Sequence, residues 1–419
     1  MRYSGVEWIG EIPDKWELNK IGQLFNFRNE KVSDKVYQAL SVSKGGVVSQ
    51  MESVAKSDAS DDRKLVLAGD FAINSRSDRK MSCGVSPLDG SVSLINTILY
   101  PKNPNVIYND YMNYLLKNYG FAEEFYRWGH GIVADLWTTK WQEMKDIILP
   151  LPSLEMQKKI FDFLNKKTAE IDSLIEIENQ QIEKLKEYKQ TVITEAVTKG
   201  LDKNAAMKDS GIDWIGDIPL NWSIQKFKNF GECRNGLTYS PADMCMEEGG
   251  ILVLRSSNIQ NNKLVFDDNV YVNCSIKEEL FVKKNDILIC SRNGSAKLIG
   301  KNVLIPDNLH ASFGAFMMIY RCCDPIYLRY ILCSSIFFQY LGTFLTVSVN
   351  QLTGSNFMNI SFPYPKEKAE RLKIIKYLDE KCAEIDALIA IKQKKIDDLN
   401  EYKKSLIYEC VTGKKEVAE

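Results

Sequence analysis

Mostly apolar positions in residues 164–196, interrupted by Thr168, Glu178 and Lys189, recur at steps of four and three: Leu164, Thr168, Ile171, Ile175, Glu178, Ile182, Leu185, Lys189, Val192 and Ala196. The same steps run through Leu378, Cys382, Ile385, Ile389, Lys392, Ile396, Leu399, Lys403, Leu406 and Cys410. Such spacing predicts a helix with one apolar stripe, the seam of a coiled coil. Its charged breaks fall at matching places in the two segments. Each helix starts just after a Pro-x-Pro, at Pro150–Pro152 and Pro363–Pro365, which stops the preceding strand or loop. Ser153 is a fair N-cap, with Glu155 in the first turn. About 40 residues at ~1.5 Å each make a rod of about 60 Å. The simplest cover for each stripe is the other helix of the same chain; a coil between two copies is the alternative. Glu178 and Lys392 share a register position. They would face each other in a parallel pair but need not in an antiparallel one, so the seam does not choose a direction.

Upstream of each helix the pattern changes. Short β-branched and aromatic runs ("DFAINS", "SVSLINTILY", "DNVYVN", "DILIC", "AFMMIY") alternate with Gly, Asn, Asp and Pro turns. That pattern predicts strands. One helix closes each block, at about 110–128 and about 326–344. Each half of the chain is therefore read as an α+β globule followed by a long helix.

The halves repeat. "SGVEWIGEIPDKW" from Ser4 returns as "SGIDWIGDIPLNW" from Ser210. "GDFAINSR" at Gly69–Arg76 matches "NDILICSR" at Asn285–Arg292, and "YMNYLLKNYGF" from Tyr111 matches "YLRYILCSSIF" from Tyr327. Leu164–Thr198 aligns without gaps with Leu378–Thr412, about half of its positions being identical. The chain is a tandem duplication of a unit of about 210 residues. The first helix flows through a short linker into the second opening motif. By the same logic the end of the second helix should lie near the first motif, with Ser4 close to Thr412. Trp8, Ile9, Ile12 and Trp16, with Trp214, Ile215, Ile218 and Trp222, read as apolar anchors. Gly10 and Gly216 would allow a turn, and Pro13 and Pro219 would stiffen the entry into each globule.

Composition narrows the function classes. At 419 residues the chain fits two to four domains. A formal net charge of -1 gives no global basic field, so a non-specific polyanion binder is disfavoured, though local patches remain open. Nothing resembles a signal peptide, and Ile326–Phe344, with Arg329 and Gln339, reads as a buried helix rather than a membrane span. Ten cysteines without a C-x-x-C pair read as free, mostly buried thiols of a reducing cytoplasm, with no metal site.

Catalytic patterns are missing. His130 and His310 occupy non-equivalent positions with no nucleophile constellation around them. "CDPIY" at Cys323–Tyr327 carries Ile326 where an amino-methyltransferase loop needs Pro. Glu17 and Lys20 are spaced wrongly for a nuclease site, and no P-loop occurs. The chain reads as a non-catalytic one.

Two globules, each opened by S-G-x-x-W-I-G-x-I-P-x-x-W and closed by P-x-P plus an "AEID…LI…EYK" helix, resemble the specificity subunit of type I restriction-modification systems. The resemblance covers essentially the whole chain. The E-Q pair usual after the P-x-P becomes Glu155-Met156-Gln157 in one copy and Glu370-Arg371 in the other. The resemblance implies two pseudo-repeated target-recognition domains, residues 1–152 and 210–365. It also implies spacer helices at 153–200 and 366–413, a linker at 201–209 and a tail at 414–419. The helices would pair as an intramolecular coiled coil, by this resemblance antiparallel. Each domain would read one half of a bipartite double-stranded DNA target, and the helices would set the spacing and dock two methyltransferase subunits. S-adenosylmethionine, ATP and Mg would act on those subunits and on motor-nuclease subunits, with no cofactor or metal in this chain. The alternatives are a specificity chain serving a fused nuclease-methylase, and a coiled-coil scaffold that binds proteins and no DNA.

Base readout wants Arg, Lys, Asn, Gln, Ser and Thr on loops held by a sheet. The repeat supplies paired candidates. Ser41, Ser43 and Lys44 align with Arg255, Ser257 and Asn258. Ser75 and Arg76, followed by Arg79 and Lys80, align with Ser291 and Arg292, followed by Asn293 and Lys297. A third loop carries Thr138, Thr139 and Lys140 in one copy and Asn350, Gln351 and Thr353 in the other. Trp128, Trp137 and Trp141 read as core or subunit interface rather than base-stacking platforms.

Overall fold

A computed structural model describes residues 1–50, 62–131, 137–307, 309–344 and 350–417. It divides into two compact units, Met1–Asn179 with Gln393–Glu419, and Gln180–Lys392. Each unit holds one α+β globule and takes one half of each long helix, Leu154–Lys199 and Lys368–Val411.

The opening motif folds the same way in both units. Ser4 Oγ accepts from Val6 N at 3.1 Å, Gly10 N donates to Val6 O at 2.9 Å, and Ser4 N donates to Gly10 O at 2.9 Å. Ser210, Ile212 and Gly216 repeat these bonds at 3.2, 3.0 and 3.2 Å. Closing so small a loop needs a left-handed residue, and Gly10 and Gly216 supply it at φ +69° and +68°. The loop sits at the bend of a two-stranded ribbon: Arg2–Tyr3 with Glu11–Ile12, and Met207–Asp209 with Asp217–Pro219. The next strand, Glu17–Lys20 or Trp222–Lys226, pairs with the Pro-x-Pro strand, Ile148–Leu151 or Ser361–Pro365. The two ends of each globule are thus stitched together at the root of a long helix. Seven of the eight motif anchors are buried. Trp214 differs: it is 45% exposed and meets Tyr340 edge-on at 5.1 Å.

Each globule is built on a four-stranded antiparallel sheet. In the first unit the order is Cys83–Val85, Phe71–Asn74, Asn96–Pro101, Phe25–Arg28. In the second it is Asn302–Leu304, Ile287–Cys290, Met317–Cys322, Gly231–Asn235, the same topology. The G-D and N-D pairs of the repeat make the turn into the second strand of each order. Gly69 and Asn285 take φ +90° and +67°, which explains Gly or Asn there. Asp70 and Asp286 are buried, accept from Leu67 N and Lys283 N, and are each paired with an arginine, Arg28 or Arg321.

Two expected helices are broken. The first runs as Met112–Leu115 and Tyr119–Arg127, because the Asn118 side chain caps the second piece through Phe121 N while donating to Leu115 O. The second runs as Pro325–Cys333 and Ser335–Phe344. Buried Ser334 adopts extended backbone, and its Oγ donates to Ile331 O at 2.7 Å. Ser335 N donates to Thr194 Oγ1 of the first long helix. No helix among the described residues is long and apolar enough to cross a membrane.

The long helices pair antiparallel. In the first unit Lys403 meets Asp172 at 2.6 Å and Lys395 meets Glu178 at 2.6 Å. In the second, Lys189 meets Asp386 at 2.7 Å and Lys392 donates to Gln181. Rising residue numbers on one helix meet falling numbers on the other. Leu164, Ile171, Ile182, Val192, Leu378, Ile385, Ile396 and Leu406 are buried, while Ile175, Leu185, Ile389 and Leu399 are half-buried. In the first unit the end of the second helix rests on the opening motif, where Tyr408 Oη donates to Trp8 O at 2.8 Å.

Among the ten thiols four are buried, five half-buried and Cys323 exposed. Burial pushes Cys83 and Cys322 up to about 12, and Cys382 and Cys410 up to about 11. Only a thiolate attacks an alkylating agent. Iodoacetamide at pH 8 should therefore label Cys323 in the native protein and spare these four until denaturant is added, as peptide mass spectrometry will read.

Candidate nucleic-acid interface

In each unit the second and third candidate loops are joined. Arg76 bridges Thr138 and Arg292 bridges Gln351, both antiparallel. The carbonyl of Ser75 accepts from Thr139 N at 3.0 Å, and that of Ser291 from Leu352 N at 2.8 Å. The preceding strand loop completes a clamp: Ser75 N donates to Ile95 O, and Ser291 N to Phe316 O. A Ser-Arg pair at the end of a buried strand is thus held from two sides in both copies, and the arginine points outward from it.

The side chains divide into three groups. Ser75, Ser291 and Asn258 are internal. Ser75 Oγ shares a hydrogen bond with Thr97 Oγ1, Ser291 Oγ donates to Phe316 O, and the Asn258 amide donates to Val265 O and Asn269 Oδ1. Their polar groups serve the fold, which removes them from the reading face. Ser43 shapes its own loop, its Oγ donating to Gly46 O, while Asn293 and Asn350 tie neighbouring loops together: Asn293 Nδ2 donates to Ser256 Oγ and Asn350 Nδ2 to Gly294 O. The Ser257 hydroxyl is buried with no partner among the described residues, beside a groove lined also by Gln260, Asp268 and Lys301.

The third group is outward and basic. Lys44, Lys140 and Lys297 are exposed. Four other cations are met by carboxylates. Arg76 and Arg79 share Asp78 at 3.0 and 3.7 Å, Lys80 meets Glu123 at 3.0 Å, and Arg255 meets Asp268 at 2.8 Å. Arg292 has none among the described residues; its guanidinium lies 5.2 Å from the centre of the Phe316 ring. Thr138 and Gln351 are half-buried in the bridges.

Sequence reasoning passed over Phe316 and Lys64 here, and read Trp137 and Trp141 as core or subunit interface. Phe316 is 58% exposed at the foot of Arg292. Trp137 is exposed, and its carbonyl accepts from Ser77 N beside Arg76. Trp141 instead stacks on Phe27 with centroids 5.6 Å apart. Half-buried Lys64 puts its ammonium on Asn96 O at 2.7 Å and over the Phe27 ring, and burial lowers its pKa. The one trace of Lys64 in the sequence is a cation inside the strand "RKLV". No group of His, Cys, Asp and Glu among the described residues could hold a metal ion.

No family model matches the chain. It is 28% identical over 280 residues to the type I restriction enzyme MjaVIII specificity subunit of Methanocaldococcus jannaschii, a match spanning 64% of this chain and 62% of that protein. It is 24% identical to the putative type I restriction enzyme MjaX specificity subunit of the same organism, over 97% of this chain and 95% of that one. The EcoKI specificity subunit of Escherichia coli is 25% identical over 48% of this chain and 44% of its own length. A solved chain from work on assembly and conformational transition of a type I R-M system shares the fold, with a TM-score of 0.67 at 14% identity, covering 96% of this chain and 98% of that one.

Proposed function

We infer that this chain is the DNA-sequence-recognition subunit of a type I restriction-modification complex, the kind of protein its relatives in sequence are. Each unit reads one half of a bipartite target, and the paired helices fix the distance between the halves. Catalysis belongs to partner subunits, which bring S-adenosylmethionine, ATP and Mg. A near-neutral reader fits such an assembly, because its partners share the phosphate contacts.

The observation that carries this reading is the doubling of an unfilled surface. On the helices of the first unit Leu174, Ile177 and Tyr402 are exposed. On those of the second unit Leu388, Ile391 and Tyr188 are exposed. The repeat maps one set onto the other, residue type for residue type. Leu174 and Tyr402 occupy the heptad position beside the seam that faces its own kind in an antiparallel pair, and Ile177 flanks it. Two like patches suit two copies of one partner, the methyltransferase subunit.

Native mass spectrometry of the co-expressed proteins tests this. The parent chain should hold two methyltransferase copies. Leu174→Glu with Ile177→Glu should leave one, and adding Leu388→Glu with Ile391→Glu should leave none. Two copies retained on the fourfold variant would exclude these patches. A host methylome that does not change when the gene is deleted would count against DNA reading itself.

A further inference from the structure

The two clamps share a backbone and differ in charge. In the first unit the Arg76 guanidinium is held by Asp78. In the second, the guanidinium of Arg292 makes no hydrogen bond or ion pair among the described residues and lies over Phe316. The peptide that carries it is anchored unusually well. Ser291 N, Arg292 N and Ser291 Oγ all donate to Phe316 O at 3.0 Å, and Leu352 N donates to Ser291 O at 2.8 Å. Phe316 therefore holds Arg292 twice, by its carbonyl at the root and by its ring at the tip.

A stacked arginine keeps its planar fork of N–H donors while the ring restricts its rotamers, so less freedom is lost when it binds. Paired acceptors in one plane are what that fork fits, and in the major groove guanine presents them as O6 and N7. A phosphate would also attract a cation, but an unstacked lysine would serve there equally well. Resting on the DNA-reading function above, we propose that Arg292, stacked on Phe316, reads a guanine in the half-site taken by the unit Gln180–Lys392. Arg76, held by Asp78, has no equivalent part, so the two half-sites are read by different chemistry on similar frames.

The test uses the full chain in complex with its methyltransferase partner and a pool of randomised duplexes, with the parent target defined first. Arg292→Lys keeps the charge and removes the fork. It should cost about ten- to a hundredfold in preference at one G·C pair and leave the other positions unchanged. Phe316→Leu should weaken the same position to a smaller degree. Arg76→Ala should leave it intact. Arg292 is exposed, so the unfolding midpoint of Arg292→Lys should match the parent and exclude misfolding. Unchanged selectivity in Arg292→Lys would overturn the assignment. So would a uniform loss in Arg292→Ala with a shallower salt dependence, the mark of a phosphate contact. A parent complex that selects no sequence at all would instead overturn the DNA-reading function, and this assignment with it.

Discussion

Glu178→Lys should destabilise the first unit by about 2–4 kcal/mol, and Glu178→Lys with Lys395→Glu should recover most of the loss. Glu178 is buried in the helix seam and meets Lys395 at 2.6 Å. Reversal puts two ammonium groups at that distance, one of them in the apolar stripe. Breaking a buried pair costs about 3–5 kcal/mol, and the half-exposed Lys395 lowers that figure through solvent screening. In a unit of this size the loss is a drop of roughly 5–12 °C in the thermal midpoint. The control is Lys404→Glu, which reverses an exposed pair with Glu401 and should cost under about 0.5 kcal/mol. If the reversal and the control cost the same, the seam charge plays no part in pairing. A double variant no better than the single would show that Glu178 and Lys395 are not coupled.

That pair also shows where the sequence was legible. The four-three spacing located both long helices, and eight of its twelve Leu, Ile and Val seam residues are buried, because a stripe of that period has few other ways to be covered. The direction of pairing was not legible. It rests on which charges meet across the seam, and Glu178 and Lys392 at one register position fit either direction until their partners, Lys395 and Gln181, are known. The breaks at Asn118 and Ser334 were hidden for a similar reason: both depend on bonds that a residue makes in the folded chain, not on the local pattern. At the candidate interface the repeat identified the Ser-Arg pairs and the loops that clamp them. It could not separate Ser75 and Ser291, whose hydroxyls are spent inside, from the arginines beside them. Nor could it show that Asp78 holds Arg76 while Phe316 takes Arg292, since neither partner is fixed by spacing.

The largest single-residue effect is expected at Trp222, and it explains why the opening motif recurs. Its ring is fully buried, and its Nε1 donates to Glu370 Oε1 at 2.9 Å in the first turn of the second long helix. The ring also covers Gly200, which follows the first long helix at φ +73°; a Cβ there would lie 3.3 Å from Trp222 Cζ2. One residue thus ties the end of one long helix to the start of the other by its side chain, while its backbone pairs with Pro365, the last residue of the strand that closes the globule. The first unit repeats the device: Trp16 and Pro13 cover Gly413, also at φ +73°, where the second long helix ends. Trp222→Ala should cost about 3–5 kcal/mol by cavity and transfer terms. Trp222→Phe should cost about 1–3 kcal/mol, because the ring is partly kept and the carboxylate loses a donor. Chemical denaturation checks both, with the loss confined to the unit Gln180–Lys392. If Trp222→Ala unfolds no sooner than the parent, the motif is no anchor and its repetition needs another cause. If it does, the motif recurs because each globule must be fastened to the helices that carry it.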